Sequence, residues 1–207
     1  MPPTAEFSHE DYEIDTREVL FQGSFLRLAR YSIKHRLFNG NWSPIFKCEV
    51  LERKSAVAIL PYDPLLDRVI LIKQFRPGAL SDPQSPWLLE IPAGVIEENE
   101  NLEKVAYREM IEEIGYKPSL LHPISEFFVS PGAANEYLHL YCGKVDARTI
   151  EGVHGIKNEN EDIYALNLPA EEAFAKLYSG QIKTVPAIVA LMWLQIHRKE
   201  LQAKWEK

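Results

Sequence analysis

Between Asn101 and Gly115 lies the stretch that most restricts what this chain can fold into: Leu102-Glu103-Lys104-Val105-Ala106-Tyr107-Arg108-Glu109-Met110-Ile111-Glu112-Glu113-Ile114. Asn101 suits a helix N-cap and Gly115 a C-terminal stop, so the spacing predicts a helix from about Leu102 to Ile114. Projected at 100° per residue, Glu109 and Glu113 share a face with Leu102, Val105 and Ala106, which should point inward. Glu112 lies beside them, above Arg108. Most acidic runs on helices are solvated surface, but acids on a core-facing stripe need positive charge to offset their desolvation. A single adjacent arginine cannot neutralise three carboxylates. Hard divalent cations with oxygen ligands can, and Mg²⁺ favours a few carboxylates plus waters and phosphate oxygens.

The overall charge fits such a site. Against 23 basic residues stand 30 acidic ones, a net charge of −7, with no basic stripe of the kind a nucleic-acid binder carries. An acidic protein can still take an anionic substrate when metal ions mediate the contact. The longest apolar runs, Ala56–Leu60 and Val185–Leu194, are too short to span a bilayer, and Met1–Glu6 shows no secretory pattern. Cys48 and Cys142 lie far apart in no metal-binding spacing, which points to a reducing, cytoplasmic setting without a zinc site. The six histidines form no ligand spacing. Neither a Gly-x-Ser-x-Gly elbow nor a P-loop occurs.

Along the chain, residues 1–50 read as turns and short strands, with strand patterns at Val19–Phe25 and Leu28–Ile33 and a turn at Phe38-Asn39-Gly40-Asn41. From Ser55 the pattern changes to buried strands. Ala56–Leu60 and Val69–Ile72 are separated by a turn at Pro61-Tyr62-Asp63-Pro64, and Trp87–Ile91 follows. Beyond the acidic helix, strands are expected at Ile124–Val129, Tyr137–Val145 and Ile163–Leu168. Helices are expected at Ala170–Ser179 and Pro186–Trp205. Mixed strands with three helices imply α+β or α/β layering.

Five residues separate Gly94 from Glu100, and seven more lead to Arg108-Glu109, followed by Glu112-Glu113 and Gly115. This pattern resembles the Nudix box at every fixed position; Tyr116, where that family usually carries an aliphatic residue, is the one departure. Leu89-Glu90-Ile91-Pro92-Ala93-Gly94 and Ser130-Pro131-Gly132 are similar to segments of the family's bacterial ADP-ribose pyrophosphatases, as are Gln74-Phe75-Arg76 and Asn158-Glu159-Asn160-Glu161-Asp162. The resemblance implies an α/β/α sandwich with a mixed central sheet over residues 55–207. Residues 1–54 would form a small β extension that exchanges between the subunits of a homodimer.

Carried onto matching positions, the resemblance makes Glu109, Glu113 and the Ala93 carbonyl the main metal ligands, with Glu112 a less direct one. By the same resemblance Glu161 would join them from a loop when substrate is bound. Arg108 would orient the box carboxylates by charge-assisted hydrogen bonds. Glu159 would be the catalytic base and Arg76 a diphosphate contact, while Glu136 would reach the substrate from the partner subunit. Two or three Mg²⁺ ions, with Mn²⁺ as a substitute, would neutralise the diphosphate and activate water. The implied reaction converts ADP-ribose to AMP and ribose 5-phosphate. Two alternatives stay open here: another nucleoside-diphosphate sugar such as ADP-glucose or a GDP- or UDP-sugar, and a non-catalytic sensor of the same fold. The composition of Gly152–Asp162 by itself fits a plain surface loop equally well, so Glu159 and Glu161 rest on the resemblance alone.

Overall fold

The computed structural model describes residues 6–205, with Glu159 described by its backbone only. Among the described residues eleven strands and three α-helices fall into two compact units, one comprising Glu6–Lys54 with Phe128–Glu136, the other Ser55–Phe127 with Tyr137–Trp205. Residues 128–136 thus join the first unit, which the sequence reading had confined to residues 1–54.

The first unit is a three-stranded antiparallel sheet in the order β1 (Tyr12–Gln22), β2 (Arg27–His35), β3 (Phe46–Glu52). β1 begins well before the apolar stretch from Val19. Every one of its residues is exposed, so no alternation marks it in the sequence. Gly40, at φ +85°, closes the expected turn between β2 and β3 through Gly40 N–H to Leu37 carbonyl and Leu37 N–H to Asn41 carbonyl bonds. At the end of β3, Glu52 accepts hydrogen bonds from Arg17 and Tyr31 and forms an ion pair with Arg27, with Arg17 Nη2 and Arg27 Nε each 2.6 Å away.

In the second unit β4 (Ala56–Asp63) is the central strand. It runs parallel to β9 (Tyr137–Lys144) and antiparallel to β5 (Arg68–Phe75) and β7 (Ala93–Val95). β6 (Trp87–Glu90) and β11 (Ile163–Pro169) pair with β5. β10 (Gly152–His154) and β8 (Leu120–Phe128) lie at the two ends of the sheet. The mixed pairing is the one expected.

Pro61 and Tyr62 belong to β4, not to a turn as the sequence suggested; the reversal comes after Asp63. Ile59 N–H donates to Pro92 carbonyl, so Pro61, two residues on, aims its missing donor at the same edge. That place falls between the β7 pairing at Ala56–Ala58 and the β5 pairing at Tyr62–Asp63, where no ladder bond is lost.

Both faces of this sheet are covered. Val57, Ile59, Ile70 and Ile72 point to one side and pack with Val105, Ala106, Met110 and Ile114 of α1 (Leu102–Ile114). Ala58, Leu60, Val69 and Leu71 alternate with them and are fully buried on the other side, where α2 (Ala170–Tyr178) and α3 (Val185–Trp205) lie. Two-sided burial explains why β4 and β5 read as continuous apolar runs. The result is the expected α/β/α sandwich.

Candidate active site

The position of α1 is set at both ends. The Asn101 side chain accepts from the Glu103 and Lys104 amides, at 2.9 and 3.3 Å. Gly115 sits at φ +67°, with its N–H on the Ile111 carbonyl and the Tyr116 N–H on the Met110 carbonyl. With the register fixed, the helix turns Glu109 and Glu113 toward the sheet beside Val105, Ala106 and Met110. Only 7% of Glu109 and 3% of Glu113 remain exposed. Two acids four residues apart are therefore buried on one face, as the 100° projection required.

Each has partners suited to a carboxylate. Glu113 Oε2 accepts the Ala93 N–H at 3.0 Å, and Glu109 Oε1 accepts Arg108 Nη1 at 2.6 Å. Arg108 also reaches Glu112 at 3.2 Å, the Val95 carbonyl at 3.3 Å and Glu100 at 3.5 Å. One guanidinium thus ties three box glutamates to β7, the strand that contains Gly94. Gly94 itself makes room: a Cβ there would lie 1.7 Å from Glu109 Oε1 and 1.9 Å from its Cδ.

Burial is the largest influence on both acids. It raises Glu109 from 4.5 to about 7, helped by the charges of Glu112 and Glu161 and opposed by Arg108. Glu113 is pushed well above the ordinary carboxylate range by burial and then by Glu109; the Ala93 amide and the Arg76 guanidinium act against this. Carboxylates this reluctant to ionise mark a site that lacks positive charge.

Arg76, at the end of β5, is therefore close enough to act on Glu113, and its Nε donates to Glu90 at 2.7 Å. Glu161 acts on both buried acids, and its Oε2 accepts the Ile156 N–H at 3.3 Å. Glu159 contributes its backbone to a short turn, Lys157–Glu159, while its side chain lies outside the described residues. Ala93 presents its amide to Glu113 and lies in β7 opposite Ala58. Glu136 stands in the first unit, paired with Arg53 at 2.9 Å. Around α1 are thus gathered Arg76, Ala93, Arg108, Glu109, Glu112, Glu113 and Glu161.

Three further residues belong to this setting. Glu90 holds Arg76, Glu100 completes the ring around Arg108, and Gly94 vacates the volume that Glu109 fills. Glu100 and Gly94 were visible as box positions but not by role. Glu90 lay in the segment Leu89–Gly94 that resembles the family's, but nothing in the sequence paired it with Arg76.

Among the described residues no three His, Cys, Asp or Glu side chains form a ready-made metal cage. Mg²⁺ needs none, since it keeps waters and takes substrate oxygens beside one or two carboxylates. The donor chemistry fits: two buried, under-compensated carboxylates, with a third acid on a neighbouring loop. A separate depression of about 450 Å³, lined by Asp82, Gln84, Leu88 and Lys183, contains none of the predicted site residues.

The NUDIX domain family matches residues 52–188, which span this helix and the strands that hold it. The chain belongs to the Nudix family. It is 42% identical over 199 residues to the ADP-ribose pyrophosphatase of Escherichia coli (strain K12), covering 96% of this chain and 95% of that one. To the ADP-ribose pyrophosphatase of Haemophilus influenzae it is 39% identical over 210 residues, covering 100% and 96%. A solved structure, that of an ADP compounds hydrolase, superposes with a TM-score of 0.72 at 18% identity, covering 95% of this chain and 98% of the other; it supports the fold. Membership in the Nudix family, together with these relatives, makes the protein a hydrolase.

Proposed function

We propose that this Nudix protein hydrolyses the diphosphate bridge of ADP-ribose to give AMP and ribose 5-phosphate, with Mg²⁺ as cofactor. The observation that carries the reading is the pair Glu109 and Glu113, buried on one helix and lacking enough positive charge. The likeness to ADP-ribose pyrophosphatases over nearly the whole chain supports the substrate.

Bound Mg²⁺ would neutralise the diphosphate and lower the pKa of a water. Glu109 and Glu113 would hold it, joined by Glu161, the Ala93 carbonyl and, less directly, Glu112; two or three ions are expected, and Mn²⁺ would serve as well. Arg108 keeps the acids oriented through its fork of hydrogen bonds. Arg76, itself oriented by Glu90, would contact the diphosphate and offset charge on the leaving phosphate. Glu159 is assigned as the base that takes the proton of the attacking water. The water oxygen forms a new P–O bond, and the bridging P–O bond breaks with its electrons leaving on the departing phosphate.

The assembly proposed is a homodimer in which the partner's first unit, bearing Glu136, completes the substrate site. The apolar surface of that unit supports it: Ile14, Phe21 and Phe25 are more than half exposed. Of the described residues, no helix is long and apolar enough to cross a membrane, and Cys48 and Cys142 are free thiols. A cytoplasmic setting is inferred from these thiols.

Product analysis with ADP-ribose, ADP-glucose and GDP- and UDP-sugars, with and without Mg²⁺, tests the reading. ADP-ribose is expected to be cleaved fastest, and only with the metal. Glu113→Gln is expected to lower turnover by about a hundredfold or more while the protein stays folded. Unchanged activity in that variant would remove the proposed metal site.

A further inference from the structure

The loop between β10 and β11 carries Glu159 and Glu161, and contacts between its two ends close it at the neck. Glu161 N–H donates to the Ile156 carbonyl, and Ile156 N–H donates to Glu161 Oε2, both at 3.3 Å. Gly155 stands where these ends meet, at φ +101°. A Cβ there would lie 2.8 Å from the Glu161 carbonyl oxygen and 3.0 Å from its Cβ. The neck is also tied to α1, because Gly155 N–H donates to the Glu112 carbonyl at 3.1 Å. Beside it, the His154 ring packs so tightly on Gly115 that a Cβ at Gly115 would come within 3.1 Å of it. One continuous set of contacts therefore joins the last turn of the glutamate helix, the neck and Glu161.

We propose that Gly155 is a positioning residue for the hydrolysis: its lack of a side chain lets the loop neck close on the last turn of α1, and this closure holds the Glu161 carboxylate on the Ile156 amide, next to that turn, before any ligand arrives. The inference rests on the function proposed above. The charge of Glu161, felt by both buried acids, agrees with this placement. A glycine needed only for its backbone conformation would look different, and this chain contains one nearby. Gly152 has φ +110°, yet nothing lies within 4 Å of where its Cβ would be. An alanine at either position bears left-handed strain, but only Gly155→Ala adds a collision with Glu161.

The two variants separate the roles. In metal-free protein, amide exchange at Ile156 and Glu161 is expected to quicken by about tenfold or more in Gly155→Ala and to stay within about threefold in Gly152→Ala. With ADP-ribose and Mg²⁺, kcat is expected to fall by about a hundredfold in Gly155→Ala with KM within about threefold, Gly152→Ala staying near the parent. Equal behaviour of the two variants, a loss confined to KM, or full turnover in Gly155→Ala would overturn the proposal. If Gly155→Ala does not fold, Ile156→Pro removes the amide that holds the Glu161 carboxylate and leaves Gly155 in place; it must reproduce the kcat loss, and normal turnover there overturns the proposal too. A parent protein inert toward ADP-ribose would sink the functional reading, while the exchange measurement would still decide the role of the neck.

Discussion

Gly94 and Glu109 occupy one volume between them: the carboxylate fills the space that a side chain on residue 94 would take. Gly94→Ala must therefore push either β7 or the Glu109 side chain away. A displacement on the order of 1 Å at a catalytic group costs about a hundredfold in rate. Mn²⁺ binding followed by electron paramagnetic resonance should weaken in the same variant while its circular dichroism stays that of the parent. Full metal affinity in Gly94→Ala would contradict the packing described. The two buried acids were legible because a helix has a fixed period and their spacing of four puts them on the stripe of Val105 and Ala106. Their partners were less so. Glu90 meets Arg76 through the β5–β6 pairing, and no sequence period links positions 76 and 90. Glu161 and Glu159 sit on a loop without a period, so family likeness alone singled them out.

At the level of elements, α1 is a helix that its own acids oppose. Glu109 keeps its proton up to about pH 7 in the fold, against 4.5 when free. Between those values the native state holds more protons than the unfolded chain, so stability falls as pH rises. The shift amounts to a loss on the order of 3 kcal/mol across the window. Glu113, displaced in the same direction, extends the trend. Glu52, held down to about 2 by Arg17, changes in the opposite sense, but only below this range. Urea denaturation in EDTA should give a lower midpoint at pH 8 than at pH 5, with Mg²⁺ restoring more at pH 8 and Glu109→Gln flattening the slope. A midpoint that rises with pH in EDTA would refute this.

The elements that bury a face were readable: the three helices by their period, and β4 and β5 as unbroken apolar runs. Length alone did not serve, since β1, eleven residues long, is exposed throughout. The three-residue strands β7 and β10 have no length in which a pattern can show, and only their neighbours make them strands. Pro61 was misread because a proline penalises a strand only where its N–H is needed.

For the whole molecule, the division of the chain was legible as a change of character near Ser55. That residues 128–136 return to the first unit was not, because the return is made by tertiary contacts: Leu51 N–H to the Ala133 carbonyl, Arg53 N–H to Asn135 Oδ1 and the Arg53–Glu136 ion pair. The proposed homodimer makes a demand at this scale. Sedimentation should give twice the chain mass, and Ile14→Asp with Phe21→Asp should weaken association by about tenfold or more. A fully active monomer would dismiss the assembly.

One property of β1 bears on what an exposed sheet edge risks. β1 is an edge strand of eleven residues, and long apolar edges are templates for fibrils. Its pairing with β2 slips twice, between Ile14 and Thr16 and between Val19 and Phe21. Each slip adds twist, and a ribbon twisted at two places is a poor surface for stacking flat copies in register. An edge bent in this way is a poorer template for endless growth than a flat one of the same length.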